Sequence, residues 1–288
     1  MKSFLLTGSM KIHTLDTGFF KLDGGAMFGV VPKSIWNHLN PADESNLCTW
    51  AMRCLLVEHG DRLILVDTGI GDKQDEKFFS YYQLHGQGTL VGSLQQKGFT
   101  PDDVTDVFLT HLHFDHCGGA VMRDGDTLVP AFKNAKYWSS ERHWNWATHP
   151  NAREKASFLA DNILPLKESG QLHFVESAQN LPFGPGFEIL FVDGHTERMM
   201  LPLLKPAHDR KYLFCADLLP SAGHIPLAYI MAYDMRPLIT LKEKEHILKK
   251  CYLEGIQLIF EHDPRIEACT LTQTEKGIRF AEAVQVVN

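Results

Sequence analysis

Six consecutive residues constrain this chain more than any other stretch: His111-Leu112-His113-Phe114-Asp115-His116, directly behind the apolar run Asp106-Val107-Phe108-Leu109-Thr110. Packing imidazoles and a carboxylate behind a buried strand is unfavourable unless each finds a partner, so folding alone gives no reason for the cluster. In an extended segment, residues two apart point to the same side, which lets His111 and His113 grip one cation. Asp115 and His116 fall past the bend and can turn toward a second, while Gly118-Gly119 lets the backbone turn tightly afterwards.

Imidazole and carboxylate donors suit zinc and its first-row neighbours, and a catalytic metal keeps a position for water. Further ligands must then come from elsewhere, best from strand ends, which fix side chains better than mobile loops do. Three residues meet that test: His195 after Phe191-Val192-Asp193-Gly194, Asp217 after Phe214-Cys215-Ala216, and His262 after Ile259-Phe260-Glu261. The chain has 15 histidines, and His13, His38, His59, His85, His143, His149, His173, His208 and His246 are read as ordinary surface or core residues.

With 288 residues and 44% apolar content the chain can bury a full core. Strand patterns mark both halves. Cys54–Glu58 and Leu63–Asp67 look like a hairpin; Phe187–Val192, Met199–Leu204 and Lys211–Cys215 each end near a candidate ligand, and Gln257–Phe260 precedes the last one. Helices are expected near Leu94–Lys97 and over Leu238–Leu253. The stretch from Trp138 to Leu166, with Trp138, Trp144 and Trp146, reads as helical with breaks at Pro150 and Pro165, and could cap the site. No repeat or linker divides the chain, so residues 10–288 read as one domain of α/β (α+β) class, two sheets face to face with helices outside. Met10 begins a better strand than the residues before it, and residues 1–9 are expected to be a disordered or upstream-start extension outside the fold.

A net charge of −7 with both signs interspersed argues against nucleic acid as a partner. No apolar run approaches the roughly eighteen residues of a membrane span, nor the pattern of a signal peptide. Six scattered cysteines fit a reducing, cytoplasmic setting, with Cys117 and Cys215 read as small packing residues.

The order HxHxDH, Gly194-His195-Thr196, an Asp after a strand, and a late His resembles the metallo-β-lactamase superfamily. Leu65-Val66-Asp67-Thr68-Gly69 resembles its early Asp-Thr-Gly loop, in which the Asp supports the site. The resemblance implies the four-layer αββα sandwich of two mixed sheets. It also implies two divalent metals, zinc by default with manganese or iron suited too. One would be held by His111, His113 and His195, the other by Asp115, His116 and His262. Asp217 would bridge them, with the metals about 3.5–4 Å apart. A shared water then becomes the nucleophile.

Within the superfamily the chain looks closest to the acyl-homoserine lactonase and methyl parathion hydrolase-like branch, through Asp217 and Phe260-Glu261-His262-Asp263, similar to a lactonase Phe-Gly-His-Asp. Two departures stand out. Pro220 occupies the place of the lactonase Tyr three residues after the bridging Asp, and Glu197-Arg198 follow Gly194-His195-Thr196 where Pro-Gly is common. His224, Tyr229 and Tyr233 are candidates for binding substrate, His224 also for catalysis beside Asp115 and Asp217. The implied activity is hydrolysis of a small ester, lactone or phosphotriester by a monomer or homodimer. The alternatives are a phosphodiesterase or nuclease, which should show a basic groove, and an iron-dependent thiol dioxygenase, which has a one-metal site.

Overall fold

The structure is a computed structural model that describes residues 10–175, 177–178, 181–207 and 210–286. The expected extension over 1–9, and His208, lie outside the described residues. The strands are β1 (Lys11–Asp23), β2 (Leu47–His59), β3 (Arg62–Val66), β4 (Asp106–Phe108), β5 (Val121–Asp124), β6 (Thr127–Pro130), β7 (Lys136–Ser139), β8 (Leu172–Phe174), β9 (Phe187–Val192), β10 (Met199–Ala207), β11 (Arg210–Phe214), β12 (Gln257–Ile259), β13 (Ala268–Thr274) and β14 (Gly277–Val284). The helices are α1 (Gly24–Phe28), α2 (Lys33–Trp36), α3 (Glu76–Tyr82), α4 (Leu90–Gln96), α5 (Phe114–Cys117), α6 (Glu141–Thr148), α7 (Ala160–Glu168) and α8 (Pro237–Glu254).

Two six-stranded sheets form, in the orders β1-β2-β3-β4-β7-β8 and β14-β13-β12-β11-β10-β9, beside a small β5-β6 ribbon. Each large sheet mixes parallel and antiparallel pairs; β3-β4-β7-β8 and β11-β12 are the parallel runs.

Period-two alternation explains the layering. Leu55, Val57, Ile64 and Val66 face the second sheet and share a core with Ile189, Leu201, Leu213 and Ile259. Their neighbours Cys54, Leu56, Leu63 and Leu65 face outward, where Leu94 of α4 and Ile163 and Leu166 of α7 cover them. On the far side, Ile247, Leu248 and Cys251 of α8 pack with the second sheet.

The Trp-rich stretch is less helical than its composition suggests. Trp138 lies in β7, paired with Phe108 of β4, because its aromatic neighbourhood is the inter-sheet core. Pro165 sits inside α7 rather than ending it.

The layering brings the carboxyl ends of β3, β4, β9, β11 and β12 to one edge. Backbone bonds across the sheets lock this edge: Met200 N donates to Thr110 O (2.9 Å), Ala51 N to His262 O (3.1 Å) and Arg53 N to Glu261 O (3.0 Å).

Candidate metal centre

All seven residues expected to hold metal arrive at this edge. The strand β4 releases the chain at Phe108, His111 and His113 follow in extended backbone, and the short α5 turns Asp115 and His116 back toward them. His195 follows β9, Asp217 follows β11 and His262 follows β12. His111, His113, His195 and Asp217 form one group whose ligating atoms lie within 4.8 Å of one another; Asp115, His116 and His262 form another. All seven are buried.

Asp217 joins the two groups. Its Oδ2 lies 3.1 Å from His195 Nε2 and 3.8 Å from His111 Nε2, and its Oδ1 lies 3.0 Å from His262 Nε2 and 3.5 Å from His116 Nε2. One oxygen therefore faces each group.

The hydrogen bonds fix each imidazole with a bare nitrogen inward. His262 Nδ1 faces Ala51 O at 2.7 Å and His195 Nδ1 faces Asp234 Oδ1 at 2.9 Å, so both donate outward. His113 Nε2 donates to Glu154 Oε1 (3.0 Å). Thr110 Oγ1 gives its proton to Asp67 Oδ2 (2.6 Å), so it accepts from His111 Nδ1 (3.1 Å). His116 Nδ1 lies 3.3 Å from Asp67 Oδ2 and 3.0 Å from Glu261 Oε2. Orienting ligands through the second ring nitrogen is a general feature of metal-binding histidines.

The inward nitrogens then crowd one another: His111 Nε2 and His113 Nδ1 are 3.0 Å apart, His195 Nε2 and His113 Nδ1 3.2 Å, and His262 Nε2 and His116 Nε2 3.2 Å. Bare nitrogens at such distances, around an Asp217 Oδ1 that is buried without a hydrogen bond, require positive charge between them. The donor set fits two divalent cations.

The electrostatics agree. Burial opposes a proton on His195, but Asp217 and Asp234 outweigh it and raise the imidazole to about 10. Burial likewise opposes protonation of His116, yet Glu261, Asp217 and Asp115 raise it well above the ordinary value. His111, beside other imidazoles, is instead held low by burial and by His116 and His113. The acidic groups are offset either by protons on these rings or by cations that displace them.

A profile of the Metallo-beta-lactamase superfamily matches residues 53–249, more than half of the chain. The chain belongs to the metallo-beta-lactamase superfamily. His262 lies beyond the matched span and is brought in by the fold. An N-acyl homoserine lactonase of Bacillus thuringiensis is 28% identical over 173 residues, covering 57% of this chain; the match spans 60% of that protein. The crystal structure of a probable metal-dependent hydrolase from Staphylococcus aureus is 27% identical, with a TM-score of 0.86 over 96% of this chain and 99% of that one. AidC, described as a dizinc quorum-quenching lactonase, superposes with a TM-score of 0.79 over 98% of this chain and 96% of its own at 22% identity, a likeness of fold.

Arg198 has φ 56°, the left-handed region that favours glycine. Its backbone N–H donates to Asp193 Oδ1 (2.9 Å) and its guanidinium lies 3.7 Å from the centre of the Phe191 ring, which hold the unusual conformation. The loop is tied to the histidine cluster by His143, whose Nδ1 donates to Glu197 O (2.6 Å) and whose Nε2 accepts from Leu112 N (2.8 Å). Burial holds this imidazole down at about 3, hence neutral. Gly118 and Gly119 serve close approach: a Cβ would lie 2.0 Å from Ile70 O and 2.4 Å from Thr68 O, respectively. Gly118 itself has ordinary helical backbone.

A cavity of about 380 Å³ opens over the centre. His113, Asp115, His195, Asp217 and His262 form its floor, and Leu22, Met27, Phe114, Met231 and Met235 give it an apolar wall. Of the expected substrate residues only Tyr233 lines it. His224 does not: it is 1% exposed, stacks on Phe28 at 4.6 Å, and bonds Ser221 Oγ (2.8 Å) and Met27 O (2.9 Å), so both nitrogens are used in the core. Tyr229 packs behind the wall, where its carbonyl accepts from Lys244. Trp146 serves the site from behind, donating to Glu154 Oε2 (2.6 Å).

Four residues went unpredicted in their roles. Glu154 and Asp234 orient His113 and His195; Tyr82 lines the cavity beside Phe114 at a ring distance of 4.7 Å; and Glu261 is fully buried under His116, where burial, partly offset by His116, raises its carboxyl to about 8. Only Glu261 carried a signal, as a charged residue in the place of a motif Gly beside a ligand.

Proposed function

We propose that the chain is a binuclear metallohydrolase that cleaves a small ester, lactone or phosphotriester. The observation that carries this reading is Asp217, with one oxygen toward each ligand group. His111, His113 and His195 would hold one divalent cation, Asp115, His116 and His262 the other, with Asp217 shared and zinc the default by donor type. When bound, such a pair supplies a water acidified to near neutral pH and stabilises negative charge on the substrate.

The chain's own residues do the rest. Asp67 supports the centre through Thr110 and His116; Asp115 and Asp217 place negative charge at the cavity floor; and the apolar wall excludes water around the reacting bond. Tyr82 and Tyr233 present phenols near Asp115, and burial raises both, Tyr82 to about 12, so they remain hydrogen-bond donors to a substrate oxygen.

A basic groove would favour a nuclease, but among the described residues the cavity lining carries one guanidinium, Arg153. A one-metal dioxygenase would not need Asp115, His116 and His262 grouped together. The reading extends to a single domain over 10–288, acting on a small molecule as monomer or homodimer. Among the described residues no helix is long and apolar enough to cross a membrane, and all six cysteines are buried and free, which suits the cytoplasm.

The test is elemental analysis of protein purified without added metal, paired with turnover of a lactone, an aryl ester, a phosphotriester and a bis-aryl phosphate. About two cations per chain and hydrolysis of one of the first three classes are expected. One iron per chain, or no turnover with both cations bound, overturns the reading.

A further inference from the structure

Resting on the hydrolase reading and naming its substrate class, we propose that Arg153 selects esters or lactones that carry a compact anion, such as a carboxylate, on the acyl portion. Among the described residues, and apart from histidines, Arg153 is the one basic side chain lining the cavity. Neighbouring cations are committed elsewhere. Arg236 bonds Glu197 Oε2 (2.7 Å) and Asp193 O (2.6 Å), Arg142 pairs with Glu197, and Lys244 Nζ is held by the carbonyls of Pro226, Leu227 and Tyr229.

Arg153 is exposed, and its guanidinium donates to Ala232 O. Among the described residues it has no carboxylate partner. One carbonyl uses a fraction of a guanidinium's five N–H donors, and the planar fork matches a carboxylate.

The position suits recognition. Ala232 precedes Tyr233, and Glu154, which follows Arg153, bonds the floor residue His113. The guanidinium therefore joins the two loops that flank the mouth. The acceptors below are already engaged: Glu154 accepts hydrogen bonds from His113, Trp146 and Asn151, while Asp115 and Asp217 belong to the cation-holding floor. What the upper cavity offers is donors, Arg153 with the phenols of Tyr82 and Tyr233, above an apolar wall. An acyl group with a short apolar body and a terminal carboxylate matches that sequence of surfaces. In the reaction a water oxygen bonds to the acyl carbon, the acyl C–O bond breaks, the leaving oxygen takes one proton of that water and the other passes to solvent. The product is an alcohol and a second carboxylate.

The experiment uses the metal-loaded full chain and two esters that differ by a terminal methyl or carboxylate, 4-nitrophenyl butyrate and 4-nitrophenyl hemisuccinate, each corrected for its enzyme-free rate in the same buffer, which for the hemisuccinate includes attack by its own carboxylate. The wild type should prefer the hemisuccinate in kcat/KM by about tenfold or more, mainly through KM; Arg153→Met should abolish the preference and Arg153→Lys should keep part of it. Calorimetric binding of N-butylsuccinamate, an anionic amide, provides a readout independent of hydrolysis and should weaken roughly tenfold in Arg153→Met. Equal slowing of both esters with unchanged succinamate binding would make Arg153 a strap between loops and overturn the proposal. No turnover of either ester, with Arg153-dependent succinamate binding intact, would instead count against the hydrolase reading and leave anion recognition standing.

Discussion

The floor of the cavity and its rim are built from different material. On the floor, histidines and carboxylates stand just past strand ends, and every imidazole is aimed by a second hydrogen bond, as His195 is by Asp234 and His262 by Ala51 O. On the rim, Tyr82 ends a short helix, Arg153 lies in a turn, and Met231–Met235 form a loop tied down by Ala232 N donating to Ala26 O (2.8 Å) and Met235 N to His195 O (3.0 Å). A rigid floor and a loop rim separate chemistry from selectivity: a floor residue cannot change without losing charge balance, whereas the rim can be rebuilt.

The comparison breaks most sharply at Asp217. Asp217→Ala removes the carboxylate shared by both groups, and should lower kcat/KM by about 10³-fold or more, with metal content falling below that of the wild type. Elemental analysis beside steady-state kinetics checks both. Retention of full metal content and of activity within tenfold would mean that Asp217 does not join two cations.

One step outward, Glu154→Gln keeps the shape but replaces the carboxylate that accepts from His113 Nε2 at 3.0 Å. Losses of roughly 10–100-fold in metal affinity or activity are expected for such an orienting partner. Hydrogen bonds from His113, Trp146 and neighbours outweigh burial and hold this carboxyl down at about 2, so the loss should be uniform from pH 6 to 9. A competition titration with a chelator across that range measures it.

The same division decides what was legible in the sequence. His111, His113, Asp115 and His116 form one run behind an apolar strand, and the lone His195, Asp217 and His262 could be found because each follows a strand of its own. Glu154 was hidden because it lies in a turn 41 residues beyond His113, and no periodicity reveals the path between them. His224 misled because it lies close in sequence to Asp217, while the short helical turn Ala222–His224 directs the ring into the aromatic cluster of Phe28 and Trp50. Trp138 misled because three tryptophans in nine residues were read as part of one helical stretch, although the first lies within a parallel strand.

Behind the rim, Lys244 is fully buried with Nζ bonded to three carbonyls, the closest being Tyr229 O at 2.7 Å. Lys244→Met should destabilise the fold by about 1–3 kcal/mol, since it leaves buried acceptors unpaired. Burial lowers this ammonium to about 7 from its ordinary 10.5. Between those two pH values the unfolded chain retains a proton that the folded chain has lost, so wild-type stability gains from this group as pH rises. Denaturant unfolding at pH 6.5 and 9.5 should therefore show a larger gap between wild type and Lys244→Met at the higher pH. A gap that is larger at pH 6.5 would mean that the lysine is buried charged.

The smallest expected effect lies on the rim itself, and it distinguishes two tyrosines four residues apart. Tyr233 lines the cavity and Tyr229 packs behind it. Removing one hydroxyl from a neutral donor that touches substrate should cost roughly 3–10-fold in kcat/KM for Tyr233→Phe, about the worth of one ordinary hydrogen bond. Tyr229→Phe should stay within twofold, because Lys244 holds residue 229 by its backbone carbonyl, which the substitution leaves in place. Kinetics of the two variants on one ester, with melting temperatures as a control, measure how closely rim position predicts function. Equal losses would show that the loop acts through its packing, and equal indifference would leave Tyr82 as the rim's donor.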